Sequence, residues 1–143
     1  MEIKLKKLDD RAIIPTRGTS ASAGMDLYAL DGVTVGTGET VLVHTGIALA
    51  IPEGYAGFIY ARSGIATKRG LAPANKVGVI DADYRGEIMV ALHNHSDAEQ
   101  SVDAGERVAQ LVVAPFLSVE LVVTDALDET ERADGGFGST GKK

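Results

Sequence analysis

Short apolar runs separated by turn-forming residues are the feature that most constrains the fold of this chain. Glycine, proline, aspartate or asparagine stands between one run and the next, and the runs suit ordinary strands of about four to eight residues. Many short strands at this spacing favour an antiparallel sandwich or barrel over an α/β sheet. The runs predicted as strands are Val41–Val43, Gly46–Ile51, Gly57–Tyr60, Val77–Ile80, Glu87–Leu92, Arg107–Ala114 and Leu117–Val123.

One helix and one unusual tail complete this prediction. Ser63–Arg69 is the segment predicted as helical, with Ser63 placed to cap it. Later the chain becomes polar, charged and then glycine-rich, so we divide it into a β domain, 1–124, and a C-terminal arm, 125–143. Composition alone favours a disordered tail. The competing interpretation is an arm that becomes ordered only over a ligand, because Phe137 stands there between glycines.

Composition excludes several classes of function. The length of 143 residues suits one domain with a full core, and the absence of cysteine excludes disulfide scaffolds, thiolate zinc sites and cysteine nucleophiles. The net charge of −6 argues against a nucleic-acid coat or an anionic-membrane binder, so an anionic ligand needs local cations or a metal ion. No segment approaches the roughly 18 consecutive apolar residues of a membrane span, and the first residues lack an export signal. We therefore expect a cytoplasmic protein without nucleic-acid or membrane partners.

Two segments carry candidate phosphate-binding groups. Arg62, Ser63 and Gly64 begin the predicted helix, where unpaired N–H groups, a hydroxyl and a fixed cation suit a phosphate. The alternative is an ordinary cap beside a solvated arginine. Residues 136–142 fit the start of a GxxxxGK phosphate loop, but Lys143 replaces its Ser or Thr and no strand leads into it. We therefore exclude an ATPase.

Acidic residues supply a candidate general base. Asp81 and Asp83 lie between two predicted strands, in a segment typical of a hairpin tip, and strand alternation would point both carboxylates the same way beside Tyr84. A carboxylate there could activate a water next to a bound nucleotide, whereas the alternative is a turn built from favoured residues. Asp26 and Gln110 interrupt apolar segments and need partners if buried, which for Asp26 means a structural or a metal-site partner.

Five segments, taken in order, closely resemble the five motifs of the trimeric deoxyuridine triphosphatases, the dUTPases. The resemblance runs from about residue 10 to the C-terminus, with two small departures: Ala61 stands where the family usually has proline, and Ala133 where glycine is common. It implies a jelly-roll-like β subunit in a homotrimer whose three active sites each draw on all three chains, with the flexible arm of one chain closing over a neighbouring site. The segments are Ala23–Ala29, Ala61–Ala66, Gly78–Gly86, Arg107–Leu111 and Arg132–Gly141.

The resemblance also implies a reaction. The protein would hydrolyse dUTP to dUMP and pyrophosphate with Mg²⁺ bound across the triphosphate, limiting uracil in DNA and supplying dUMP for dTMP synthesis. Asp81 resembles the general base that directs water at the α-phosphorus, and Tyr84 would leave no space for a 2′-hydroxyl. No side chain is expected to bind the metal directly, although Asp26 could reach it through water.

The other residues carried over from the family divide by the part of the nucleotide they would contact. The uracil slot would be formed by Asn75, the backbone of Val79, Ile80 and Asp81, and Met89. The phosphates would be held by Arg62, Ser63, Gly64 and Gln110. From the arm, Arg132 would reach the γ-phosphate, Phe137 would stack on uracil, and Gly138 and Ser139 would close over the triphosphate.

Two other functions stay open at this point. A dCTP deaminase of the related fold would need a pocket for an exocyclic amine, and members of that family generally lack the Phe-Gly-Ser-Thr arm found here. A non-catalytic, nucleotide-binding regulatory trimer predicts the loss of Asp81, Ser63 or the arm, and all three are present.

Overall fold

The computed structural model of the protein describes residues 1–136, and these form strands joined by short turns. The strands are β1 Lys4–Lys7, β2 Met25–Tyr28, β3 Val33–Val35, β4 Thr40–His44, β5 Ile47–Ala50, β6 Tyr55–Tyr60, β7 Leu71–Pro73, β8 Gly78–Ile80, β9 Met89–Asn94, β10 Gln100–Val102 and β11 Arg107–Pro115. The helix α1 is Ser63–Arg69. Nothing helical in this part of the chain is long enough to cross a membrane.

The strands pair in antiparallel fashion and form four sheets. The largest sheet has the order β2–β11–β6–β8, and a three-stranded sheet has the order β4–β9–β7. Two smaller pairs, β1 with β5 and β3 with β10, complete the set. Of the seven runs predicted as strands, six overlap β4, β5, β6, β8, β9 and β11. The all-β prediction with one short helix is confirmed.

The seventh predicted run, Leu117–Val123, is not a strand. It follows the end of β11, and Leu117 and Val123 are 87% and 98% exposed. An apolar run forms a stable strand only where a neighbouring edge accepts its backbone hydrogen bonds. Within residues 1–136 no edge does so, and the regular β structure ends at Pro115.

One apolar core receives side chains from all four sheets. The two larger sheets supply most of it, and the smaller pairs contribute residues such as Ile47 and Val35. Alternate residues of β9 are buried, as expected for a strand with one face on the core. This core fixes the ends of the strands that carry the candidate site. Its largest fully buried side chains include Leu27, Ile47, Leu71, Ile88, Leu92 and Leu111.

Helix α1 has the predicted bounds, but its cap differs from the prediction. Arg62 occupies the N-cap position with an extended backbone, φ −93° and ψ 133°, and its side chain makes no capping hydrogen bond. Ser63 is therefore the first helical residue, and the prediction that it caps the helix is wrong. The C-terminal end is regular, because Gly70 adopts φ 66° and closes the helix through its backbone N–H.

The segment predicted as a hairpin tip crosses between two sheets instead. β8 pairs with β6, whereas β9 pairs with β4 and β7, so the two strands on either side of residues 81–88 do not pair with each other. We call residues 81–88 the crossing loop. Asp83 lies in a turn of this loop, so strand alternation does not set the direction of its carboxylate as we had expected.

Candidate active site

A cleft of about 310 Å³ opens between the end of β8 and the start of β9, and we call it the first cleft. Its wall is largely apolar, and Val79 within it is 62% exposed. Backbone from β8 reaches the cleft beside Asn75, whose Nδ2 would lie 3.3 Å from a Cβ placed on Gly78. The Asn75 amide therefore lies close against the bare backbone of Gly78 at the wall of the cleft. The predicted residues lining it are Asn75, Val79, Ile80, Asp81, Tyr84 and Met89.

Tyr84 folds back over the crossing loop. Its hydroxyl donates a hydrogen bond to the Glu87 carbonyl oxygen at 2.9 Å. A Cβ at Gly86 would lie 2.4 Å from that hydroxyl, so only glycine leaves room for the ring in this position. The Tyr-x-Gly spacing therefore presents one aromatic ring, 43% exposed, at the mouth of the first cleft.

Asp81 stands at the start of the crossing loop, directly after β8. Its backbone carbonyl accepts the Tyr84 N–H at 3.2 Å, which tightens the turn. Its side chain is exposed and lines the first cleft, and within residues 1–136 its carboxylate has no hydrogen-bond or ion-pair partner. Asp83 lies with Asp81 in a neighbouring depression but does not line the first cleft. Of these two aspartates, Asp81 is therefore the one placed to act on a ligand held there.

A second group of predicted residues lines a cleft rich in arginine, which we call the cationic cleft. Arg62 Nε donates to Asp26 Oδ1 at 2.6 Å, and Arg107 Nη1 donates to Asp26 Oδ2 at 3.4 Å. The side chains of Asp26 and Arg62 are 15% and 27% exposed, whereas that of Arg107 is 53% exposed. Asp26 thus has the ionic partner that its burial requires, and it holds two guanidinium groups at one cleft. Ser63, Gly64 and Gln110 line the same cleft.

Gln110 is held in place by its neighbours in the four-stranded sheet. It pairs with Asp26 of β2 on one side and with Tyr60 of β6 on the other. Its Nε2 donates to the Ala61 carbonyl at 2.9 Å, and a Cβ at Gly24 would lie 2.3 Å from its Oε1. A glycine at position 24 is therefore what admits this amide into the cationic cleft.

Arg107 is a cleft residue that the sequence reasoning did not select. It belongs to the same short segment as Gln110, three residues earlier, and the segment itself was noted. Its ion pair with Asp26 spans 81 residues of sequence, which no local pattern reveals. Glu87 was missed in the same way, because its partners, His44 at the end of β4 and Gly46 just after it, are more than 40 residues away in sequence.

Residues 10–141 match the family model described as dUTPase. The chain belongs to the dUTPase family. The deoxyuridine 5′-triphosphate nucleotidohydrolase of a Hydrogenobaculum species is 50% identical to it over 144 residues, covering 100% of both chains.

Solved structures of the dUTPase family share the fold of this chain. A point mutant of the Staphylococcus bacteriophage 80alpha dUTPase with dUpNHpp superimposes with a TM-score of 0.92 at 27% identity, covering 98% of each chain. A mutant dUTPase from phage phi11 of S. aureus, described with a structural Mg(II) ion, gives a TM-score of 0.81 at 26% identity. It covers 88% of this chain and 98% of its own.

The last dUTPase-family motif lies only partly within the described residues. Arg132 is exposed and lines neither the first cleft nor the cationic cleft of its own chain. Ala133, where the family often has glycine, adopts φ 47°, a left-handed conformation that glycine takes with less strain. Phe137, Gly138 and Ser139 lie outside the described residues, as does the rest of the segment that resembles a phosphate loop.

The described side chains do not form a preorganised metal-binding site. Across residues 1–136 no group of three or more His, Asp or Glu side chains comes together to ligate an ion. The nearest carboxylate to the arginines, Asp26, is paired through both of its oxygens. A magnesium ion at this site would therefore have to take most of its oxygen ligands from phosphate and water.

Proposed function

We propose that this protein hydrolyses dUTP, as its magnesium complex, to dUMP and pyrophosphate by water attack at the α-phosphorus. The observation that carries the proposal is the division of the site into two chemically opposite halves. The first cleft is largely apolar and has at its edge the Asp81 carboxylate, which has no partner in residues 1–136, whereas the cationic cleft presents two arginines. A nucleoside triphosphate matches both halves, because its nucleoside suits the first cleft and its polyanionic triphosphate suits the cationic cleft. Membership of the dUTPase family supports the same reaction.

The first cleft would select a deoxyuridine nucleoside. Asn75, Met89 and the backbone of Val79, Ile80 and Asp81 would contact the uracil, whose donors and acceptors differ from those of cytosine. Leaving a buried polar group unpaired typically costs about 1–3 kcal/mol, or one to two decades of discrimination. The Tyr84 ring would lie against the sugar and exclude a 2′-hydroxyl by overlap.

The cationic cleft would bind the phosphates. The chain is acidic overall, with a net charge of −6, so a polyanion requires concentrated local cations. Arg62 supplies one, and its contact with Asp26 holds the guanidinium before the substrate arrives. Ser63 at the helix start and the Gln110 amide supply further donors, and Arg107 adds a cation that sequence reasoning had not included.

The chemical step needs one base and no covalent nucleophile. Asp81 takes a proton from a water while the water oxygen bonds to the α-phosphorus, and the bond from that phosphorus to the bridging oxygen breaks. The electron pair leaves with pyrophosphate, and the hydroxyl oxygen stays on dUMP. Magnesium, when bound by the phosphates, neutralises charge that develops on their oxygens. The exposed, unpaired carboxylate of Asp81 described above supports its assignment as the base.

Assembly of a complete site would require other copies of the chain. The first cleft and the cationic cleft share no lining residue, and a homotrimer with shared active sites would join the halves from different chains. An unpartnered apolar segment after β11 supports such association, with Leu117, Leu121 and Val123 each more than four-fifths exposed. The arm, 125–143, would cross to a neighbouring site, where Arg132, Phe137, Gly138 and Ser139 close over the nucleotide.

The proposed activity places the protein in nucleotide metabolism in the cytoplasm, limiting uracil incorporation into DNA and supplying dUMP. Incubation with dUTP and Mg²⁺ should release dUMP and pyrophosphate, with far slower release from UTP. Ammonia released from dCTP would instead identify a deaminase. Tight binding of dUTP without any pyrophosphate would identify a regulatory trimer.

A further inference from the structure

Glu87 is a charged residue of the crossing loop that the reaction described above does not use. It lies three residues after Tyr84 and borders the first cleft, yet its side chain is only 22% exposed. A carboxylate held this far from solvent needs partners. Both of its oxygens have them: one partner is His44, the last residue of β4, and the other is Gly46, on the connection between β4 and β5.

The side chain of Glu87 ties the loop to that connection. Oε1 accepts the Gly46 N–H at 2.8 Å, and Oε2 lies 2.9 Å from His44 Nδ1. Two further hydrogen bonds lie beside these. Thr45 Oγ1 donates to the Ile88 carbonyl oxygen at 2.5 Å, and the Ile88 N–H donates to the Ile47 carbonyl oxygen at 2.9 Å. The end of the crossing loop is therefore fixed at several points.

The connection to which Glu87 binds is itself a rigid part of the core. Gly46 adopts φ 69°, and a Cβ there would lie 2.9 Å from the Ala12 side chain and 3.2 Å from that of Leu30. Ile47 is fully buried in the next strand. A group bonded to this corner cannot shift without disturbing packed side chains.

The backbone of Glu87 holds Tyr84. Its carbonyl accepts the tyrosine hydroxyl at 2.9 Å, and the ring passes over Gly86 with no room for a side chain there. Contacts therefore run without a break from the packed corner at Gly46, through the Glu87 side chain and carbonyl, to the ring of Tyr84. The two non-covalent links of this path, from the Gly46 N–H to Glu87 Oε1 and from the Tyr84 hydroxyl to the Glu87 carbonyl, are hydrogen bonds of 2.8 and 2.9 Å.

We propose that Glu87 is a positioning residue that fixes Tyr84 and so sets the discrimination between deoxyribose and ribose. The inference rests on the proposed function, in which the Tyr84 ring borders the sugar. Exclusion of a 2′-hydroxyl by overlap works only if the Tyr84 ring does not move, because a displacement of about 1 Å is enough to admit a misplaced substrate. In this proposal Glu87 holds the Tyr84 ring in place through these hydrogen bonds and takes no part in nucleotide binding. Asp81 lies at the opposite end of the loop and shares no hydrogen bond with Glu87 in residues 1–136, so we expect it to keep its place when the Glu87 side chain is removed.

The test compares kcat and KM for dUTP and UTP in Glu87→Ala, Glu87→Gln and wild type. In Glu87→Ala we expect the preference for dUTP over UTP, as a ratio of kcat/KM, to fall by about tenfold or more, because the variant loses the hydrogen bonds to both the Gly46 N–H and His44, and the loss of one hydrogen bond to a charged group corresponds to about tenfold. The loss should appear as a higher KM for dUTP and a lower KM for UTP, with kcat for dUTP nearly unchanged. Glu87→Gln keeps an oxygen for the Gly46 N–H and should recover most of the preference.

Glu39→Ala is the matched control, because Glu39 Oε2 accepts a glycine N–H, that of Gly36, at the same 2.8 Å but borders neither cleft. It should leave the ratio unchanged. If Glu87→Ala does not fold, His44→Ala removes one partner from outside the loop and should reduce the preference to a smaller extent. An unchanged ratio in folded Glu87→Ala, or equal losses in Glu39→Ala, would overturn the inference. Absence of dUTP hydrolysis by the wild type would instead overturn the proposed function.

Discussion

Asp26 and Arg62, 36 residues apart in sequence, meet in a hydrogen bond of 2.6 Å between Oδ1 and Nε. The bond uses the inner nitrogen of the guanidinium, which leaves the two terminal nitrogens without a hydrogen-bond partner in residues 1–136, on a residue that lines the cationic cleft. Such an arrangement pre-orients a cation for a bidentate contact with phosphate. Asp26 therefore contributes to phosphate binding through Arg62 in the site that we propose.

Asp26→Asn tests this role. An amide keeps the shape but weakens the hydrogen bond, so we expect kcat/KM for dUTP to fall about tenfold, mainly through KM. The readout is steady-state kinetics at saturating Mg²⁺. Asp31→Asn is the control, because Asp31 also pairs with an arginine, Arg11 at 2.7 Å, but at the exposed surface. A variant with normal KM at saturating Mg²⁺ and a raised Mg²⁺ requirement would support a metal-linked role for Asp26 instead.

Asp81→Asn removes the proposed base and keeps its shape. We expect turnover to fall by about 10²-fold or more, since general base catalysis contributes that much, while dUTP binding is largely retained. Single-turnover kinetics and equilibrium binding of dUTP separate the two effects. Asp83→Asn is the control, because its carboxylate lies in the turn and does not line the first cleft. Turnover near wild type in Asp81→Asn would make Asp81 a turn residue only.

Much of the fold could be predicted because its signals are local. The helix Ser63–Arg69 was predicted with its observed bounds, and six apolar runs became strands. Sheet membership could not be predicted in this way. β8 and β9 are neighbours in sequence and contribute to different sheets, so the crossing loop was mistaken for a hairpin. Turn composition is the same in both cases, and only the partners of the flanking strands distinguish them.

The residues of the candidate site likewise divide into those that a local sequence motif predicts and those that it does not. Short motifs identified several of the residues that line the two clefts, such as Tyr84 and Gln110, because each motif is continuous in sequence. The partners that hold those residues lie far away: Glu87 and His44 are separated by 43 residues. Apolar packing brings such segments together, and a single sequence gives no signal for the pairing.

Truncation after Arg132 tests the proposed arm. The N–H groups of Ala133 and Gly135 bond to Thr130 and Arg132, within the arm, so we expect the β core and its assembly to survive the deletion. Efficient hydrolysis should be lost, because the groups that close over the triphosphate are removed. Circular dichroism, size-exclusion chromatography and pyrophosphate release measure these properties. A chain ending at Gly141 is the control and should keep full activity; full activity in the shorter chain would show that the arm plays no catalytic part.

The Glu87 contacts also predict a pH-dependent stability. Burial raises the pKa of Glu87, but the hydrogen bonds from His44 and the Gly46 N–H outweigh it, and the pKa is lowered overall from its ordinary value of 4.5. Near and below that value the folded chain therefore binds fewer protons at Glu87 than the unfolded chain, and stability rises with pH. The contribution is fully present above pH 4.5 and is lost as the pH falls through the lowered pKa.

Urea unfolding of wild type and Glu87→Gln, from about pH 7 to about pH 3, measures this contribution. The wild type should have the higher midpoint at neutral pH, and the difference between the two proteins should shrink as the pH falls below 4.5. Glu120→Gln, on the exposed segment after β11, is the control and should follow the wild type at every pH. A difference for Glu87→Gln that stays constant over the whole range would mean that the carboxylate charge does not hold the loop to the β4–β5 connection.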